Sequence, residues 1–142
     1  MAIIEALSPW LEPRRQEYIS HLLEVSATGN FDPWVAFFAR AVADRAGAAD
    51  RTIRDLLQVR QEVLELLRVD GAKGMVLDLA GDLIGFPRLD VGTTAARYEV
   101  TYQAANAAIK RLVGLGVLRE VTGGRYGRVF ACDRVYDILA RG

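Results

Sequence analysis

From Trp34 to about Arg68 the chain carries no proline, and its apolar residues keep the phase of an α-helix. Val35, Phe38, Val42, Ala46, Ala49, Ile53, Leu56, Val63 and Leu67 mark one stripe, interrupted where Arg60 falls. A continuous helix of about 35 residues makes a rod roughly 50 Å long. Asp32 suits its N-cap and Pro33 its first helical position, where a missing N–H costs nothing. Gly47 is the expected site of any bend, because glycine costs about 1 kcal/mol in a helix interior. One short neighbouring helix cannot cover the whole stripe of such a rod. Either a second copy, giving a homo-oligomer through the long helix, or a further part of the protein has to cover the remainder.

The residues before the rod are expected to be helical as well. Pro13 fits the first turn of a helix in which Tyr18, Ile19, Leu22, Leu23 and Val25 repeat at helical spacing. Thr28-Gly29-Asn30 stops it, with Gly29 suited to a left-handed cap. Two glycines in Val69-Asp70-Gly71-Ala72-Lys73-Gly74 mark a break after the rod, so two parts are expected, 1–70 and 71–142.

The pattern changes beyond the break. Met75–Ile84 is predicted as a helix, ended by Gly85-Phe86-Pro87 because the residue before proline is pushed out of the helical region. Leu89-Asp90-Val91 is short and strand-like. Thr93 or Thr94 is the expected cap of a helix to about Tyr98, and Glu99-Val100 leads tightly into another from Thr101 to Gly114. Ala105, Ala108, Ile109 and Leu112 fall on its inward face. Val117–Val121 and Arg128–Cys132 are predicted strands around the glycine-rich tip Thr122–Gly127, and Asp133 is the expected cap of a last helix. Helix, strand, helix, tight turn, helix and hairpin is the order of a winged helix-turn-helix. The expected fold is therefore mainly α: a helical hairpin with a long helix, then a winged helix-turn-helix with a small β-hairpin.

Charge supports a partner for this second part. The 18 basic and 18 acidic side chains cancel overall, but residues 1–70 hold 8 basic against 11 acidic and residues 71–142 hold 10 against 7. Between Arg97 and Arg128 six basic side chains face two acidic ones. On the helix after Thr101, Tyr102, Gln103, Asn106 and Lys110 are expected to face outward, since 103, 106 and 110 lie three and four apart. Gln103 and Asn106 have the side-chain amides that read adenine edges in a major groove wide enough for a helix. Tyr102 and Lys110 suit phosphates, which position a protein without reading sequence. Arg125, Tyr126 and Arg128 at the hairpin, with Thr101 and Arg97 near the helix-turn-helix, complete the expected duplex DNA contacts. Docking to a protein, or dimerisation, is the alternative for the same module.

Other function classes are disfavoured. A single cysteine, Cys132, allows no internal disulfide and no cysteine-based zinc site. The single histidine, His21, is predicted in mid-helix, and it removes catalytic schemes that require a second imidazole. Gly71-Ala72-Lys73-Gly74 lacks the length and the Lys-Ser/Thr ending of a phosphate-binding loop. No metal and no cofactor is expected. The start has neither the basic flank nor the long apolar stretch of a signal peptide, and no apolar run approaches the roughly 20 residues of a membrane span. A cytoplasmic protein without a membrane contact is the expectation.

Leu7-Ser8-Pro9-Trp10-Leu11-Glu12-Pro13-Arg14-Arg15-Gln16-Glu17-Tyr18 resembles the stretch just after the catalytic loop of Fic-family (filamentation-induced-by-cAMP) proteins. Gly29-Asn30-Phe31-Asp32-Pro33-Trp34-Val35-Ala36-Phe37-Phe38 resembles the block that opens the family's long helix. Thr101–Leu118 followed by Arg119-Glu120-Val121-Thr122-Gly123 resembles the C-terminal winged helix that many members carry. The resemblance implies transfer of AMP or a related phosphate-containing group to a hydroxyl side chain, through a loop of the form H-P-F-x-x-G-N-G-R. This chain has no such loop, so it resembles the part of a Fic protein downstream of the active site. The resemblance therefore implies a regulatory or DNA-binding module without catalytic residues of its own, with a Fic catalytic domain upstream as a further expected partner.

Overall fold

A computed structural model describes residues 2–142. They form two compact units, one ending at Arg51 and the other covering Thr52–Gly142. The first holds α1 (Ala2–Leu11), a single 3-10 turn (Glu12–Arg14), α2 (Arg15–Thr28) and the first part of α3 (Asp32–Val69). The expected rod is unbroken, and it runs through Gly47 without leaving the helix. Pro13 sits in the 3-10 turn, not inside α2. Gly29 takes the left-handed cap with φ +71°, a conformation open to glycine because it has no Cβ to clash, and its N–H donates to the Val25 carbonyl.

Within this unit the buried face of α3 differs from the expected stripe. Phe37 and Ala41 are buried with Leu7 and Trp10, whereas Val35, Phe38 and Val42 are exposed. The reason is the tryptophan. Its ring meets Phe37 edge-on with centroids 5.1 Å apart, and its indole N–H needs an acceptor, which Asp44 supplies at 2.9 Å. Phe37, Ala41 and Asp44 lie at helical spacing, so α1 draws that face inward and leaves the neighbouring one bare.

The second unit contains the rest of α3, then α4 (Met75–Asp82), β1 (Arg88–Asp90), α5 (Val91–Arg97), α6 (Tyr102–Gly114), β2 (Arg119–Glu120), β3 (Val129–Ala131) and α7 (Asp133–Arg141). The break near residue 70 is present as a turn, with Gly71 and Gly74 both at φ +73°. It separates elements and not compact units, because Val59, Val63 and Leu67 at the end of α3 belong to the core of the later elements. Leu67, Ile109, Leu112, Phe130, Cys132 and Val135 are the fully buried centre of that core.

The strands form one antiparallel sheet in the order β1-β3-β2, with Leu89 opposite Phe130 and Arg119 opposite Ala131. The hairpin strands are shorter than expected. Val117 and Leu118 are instead buried at the end of α6, where their N–H groups donate to the Leu112 carbonyl. One further bond, from the Val121 N–H to the Val129 carbonyl at 2.8 Å, continues the pairing towards the tip. The helix caps also differ in position. Asp90 caps α5 by accepting the Thr93 N–H at 2.9 Å and the Thr93 hydroxyl at 2.7 Å, so Thr93 and Thr94 lie inside the helix. Asp133 is the first residue of α7, and its carboxylate holds Arg119 in place of capping. Among the described residues no helix is long and apolar enough to cross a membrane.

Candidate nucleic-acid interface

The exposed face of α6 begins at a turn with one unusual residue. Glu99 adopts φ +52°, the one non-glycine with positive φ among the described residues. The turn is closed by the Val100 N–H donating to the Ala95 carbonyl at 3.0 Å, the bond expected where a helix ends through a left-handed residue. Thr101 then caps α6, its hydroxyl oxygen accepting the Ala104 N–H at 3.1 Å. The Thr101 hydroxyl expected at DNA is thus engaged within its own helix.

Helical geometry divides the side chains of α6. Ala105, Ala108, Ile109 and Leu112 are buried, as their spacing predicts. Tyr102, Gln103 and Lys110 are exposed and Asn106 is half-buried. Ala104 and Ala107 are exposed beside them, whereas Ala105 and Ala108 face inward. The outward face therefore offers one phenol, two primary amides and one ammonium group. Lys110 has no hydrogen-bond or ion-pair partner among the described residues.

The hairpin tip carries its residues outward. Tyr126 is 88% exposed, Arg125 is exposed without a partner among the described residues, and Gly123 and Gly127 have positive φ on either side. The base of the tip is pinned by the Thr122 hydroxyl oxygen, which accepts the Val129 N–H at 3.0 Å.

The structure removes Arg128 from the group of free cations. Its guanidinium donates to both carboxylate oxygens of Glu120, at 2.9 and 2.6 Å, and lies over the Phe130 ring. The shared hydrogen bonds lower the Glu120 pKa and raise that of Arg128, to which the nearby Tyr102 adds a smaller upward push. Arg111 and Arg119 are likewise tied, to Asp70 and Asp133. Of the six basic side chains between residues 97 and 128, Arg97, Lys110 and Arg125 have no carboxylate partner among the described residues.

Arg97 lies just before the turn into α6. In the last turn of α5 it stacks over Phe86, 3.7 Å from the ring centroid, and lines a pocket of about 60 Å³ with Arg88. Arg88 was not singled out by spacing or charge runs, since only the packing of β1 against α5 brings it beside a residue nine positions away. In the first unit His21 lies against Phe37, with Glu17 at 3.9 Å. Among the described residues no three histidine, cysteine or acidic side chains are grouped to hold a metal.

No family model matches this chain, and no curated protein matches it in sequence.

Proposed function

We propose that residues 71–142, with the end of the long helix as part of their core, form a winged helix-turn-helix that binds duplex DNA. One observation carries the reading: Gln103 and Lys110 project from a single capped helix, with Asn106 half-exposed between them, and the same unit carries a hairpin tip presenting Arg125 and Tyr126. Side-chain amides read base edges in the major groove, and unpaired cations hold phosphates. The order of helices and strands supports the same assignment. With the sequence resemblance to Fic proteins, the chain is then the helical tail and DNA-binding module of such a protein. It works alongside an upstream AMP-transferring domain and has no transfer site of its own.

Titration of labelled mixed-sequence duplex DNA tests this directly. The affinity should fall steeply with salt as counterions are released from the phosphates. Absence of binding at low salt rejects the reading. Incubation with labelled ATP should give no AMP transfer by this chain alone.

A second reading, a protein-interaction or dimerisation module, is favoured by the first unit. Phe31, Val35, Phe38 and Val42 are exposed there with Leu23, more large apolar side chains than isolated surface residues explain. Light scattering that reports a stable dimer, dissociated by Val42→Asp, supports this reading and its oligomer.

A further inference from the structure

We propose that the pocket shared by α4, β1 and α5 binds a phosphate oxyanion, held by Arg88 and Arg97. Both arginines line it, together with Leu79, Phe86 and Leu89. They are exceptional within their unit. Among the described residues neither makes a hydrogen bond or an ion pair, whereas every other arginine from Thr52 onward except Arg125 has a partner. Two of the three unpartnered guanidiniums therefore meet at one pocket.

Arg97 is held ready for a ligand. Its guanidinium carbon sits over the Phe86 ring, 3.7 Å from the centroid, and a guanidinium stacked on an aromatic face keeps its N–H edges free in its own plane. A planar fork fixed in this way suits two oxygens of a phosphate, and its prior ordering reduces the entropy lost on binding.

Two carboxylates also line the pocket; each keeps its negative charge, but each takes its hydrogen bonds from neutral donors and leaves the arginine N–H groups free. Asp82 accepts the Tyr98 hydroxyl at 2.6 Å, a proton held firmly because burial and the neighbouring carboxylate raise the tyrosine pKa. Asp90 accepts the N–H and hydroxyl of Thr93. Neither forms an ion pair with Arg88 or Arg97 among the described residues. A pocket of about 60 Å³ is several times the roughly 10–15 Å³ that one water needs, space for a small oxyanion. No exposed side chain of α6 lines it, so the site is distinct from the helix face assigned to base reading.

The phosphate has two candidate sources, a free phosphate-bearing molecule or the backbone of a nucleic acid, and one experiment separates them. The whole chain is titrated with inorganic phosphate at constant ionic strength and followed by NMR at the Arg97 side-chain N–H and the backbone of residues 86–98. A saturable shift is expected, weakened about tenfold or more by Arg88→Gln and by Arg97→Gln, each verified as folded by its melting curve. Arg97→Lys keeps the charge, loses the fork and should also weaken it. The same variants are then titrated with duplex DNA. A salt dependence reduced by about one unit per substitution identifies the DNA backbone as the source. Unchanged DNA binding identifies a free phosphate-bearing ligand. Saturable phosphate binding without any DNA binding upholds this site and rejects the proposed function. A folded wild-type chain that shows no saturable response to phosphate overturns the inference, whatever it does with DNA.

Discussion

Glu120 and Arg128 face each other across the hairpin, joined by two hydrogen bonds, and the pair leaves Arg128 a brace for the base of the tip. Arg125, three residues away, has no such partner among the described residues. Two arginines that look equivalent in sequence are therefore expected to behave differently. In fluorescence anisotropy with duplex DNA, Arg125→Ala and Lys110→Ala should each lower the salt dependence by about one unit. Arg128→Ala should change the slope little and lower the melting temperature instead. Equal effects of all three on the slope would show that the pair opens on binding.

The turn before α6 gives a second expectation. Glu99 occupies a left-handed conformation that costs a non-glycine residue on the order of 1 kcal/mol or more. Glu99→Gly should therefore raise stability by about 0.5–1 kcal/mol in urea unfolding, after the larger chain entropy of glycine is subtracted. A β-branched Glu99→Val should lower it. If glycine destabilises the chain, the turn is not strained as its φ implies.

Binding and folding should separate on the two faces of α6. Ile109 is fully buried, so Ile109→Ala should cost about 2–5 kcal/mol of stability. Gln103→Ala alters an exposed side chain and should stay within about 0.5 kcal/mol of wild type while relaxing the choice of DNA sequence. Chemical denaturation and competition binding with variant duplexes measure the two effects.

Acid should destabilise the second unit through Asp90 in particular. The Thr93 hydroxyl and N–H hold the Asp90 carboxyl below its ordinary value of 3.8. A group whose folded pKa is depressed gives its full contribution above the unfolded pKa and loses it as pH falls toward the folded one. Stability should therefore be flat near neutrality with respect to this group and decline below about pH 4. Asp90→Ala should cost about 1 kcal/mol at pH 7, the usual loss for a helix cap, and should flatten part of the acid limb. Glu62, Glu120 and Asp133, all lowered by arginine partners, should keep the remainder of that limb in the variant.

Local rules made much of this protein legible in its residues alone. The helical phase from Trp34 onward, the Gly29 stop, the two-glycine turn after Val69 and the buried set Ala105, Ala108, Ile109 and Leu112 come from spacing and backbone freedom. These features depend on residues within a turn or two of one another, where sequence distance and spatial distance agree. Tertiary packing decided the rest. It turned Phe37 inward and Val35 outward, because Trp10 arrives from α1 and carries an N–H that Asp44 must accept. It drew Val59, Val63 and Leu67 of the long helix into the second unit's core. It also decided which arginines keep a usable charge, pairing Arg128 with Glu120 and Arg119 with Asp133 while bringing Arg88 beside Arg97. A composition counts charges, but their availability depends on which carboxylate lies within a few ångströms, and only the folded chain sets that distance.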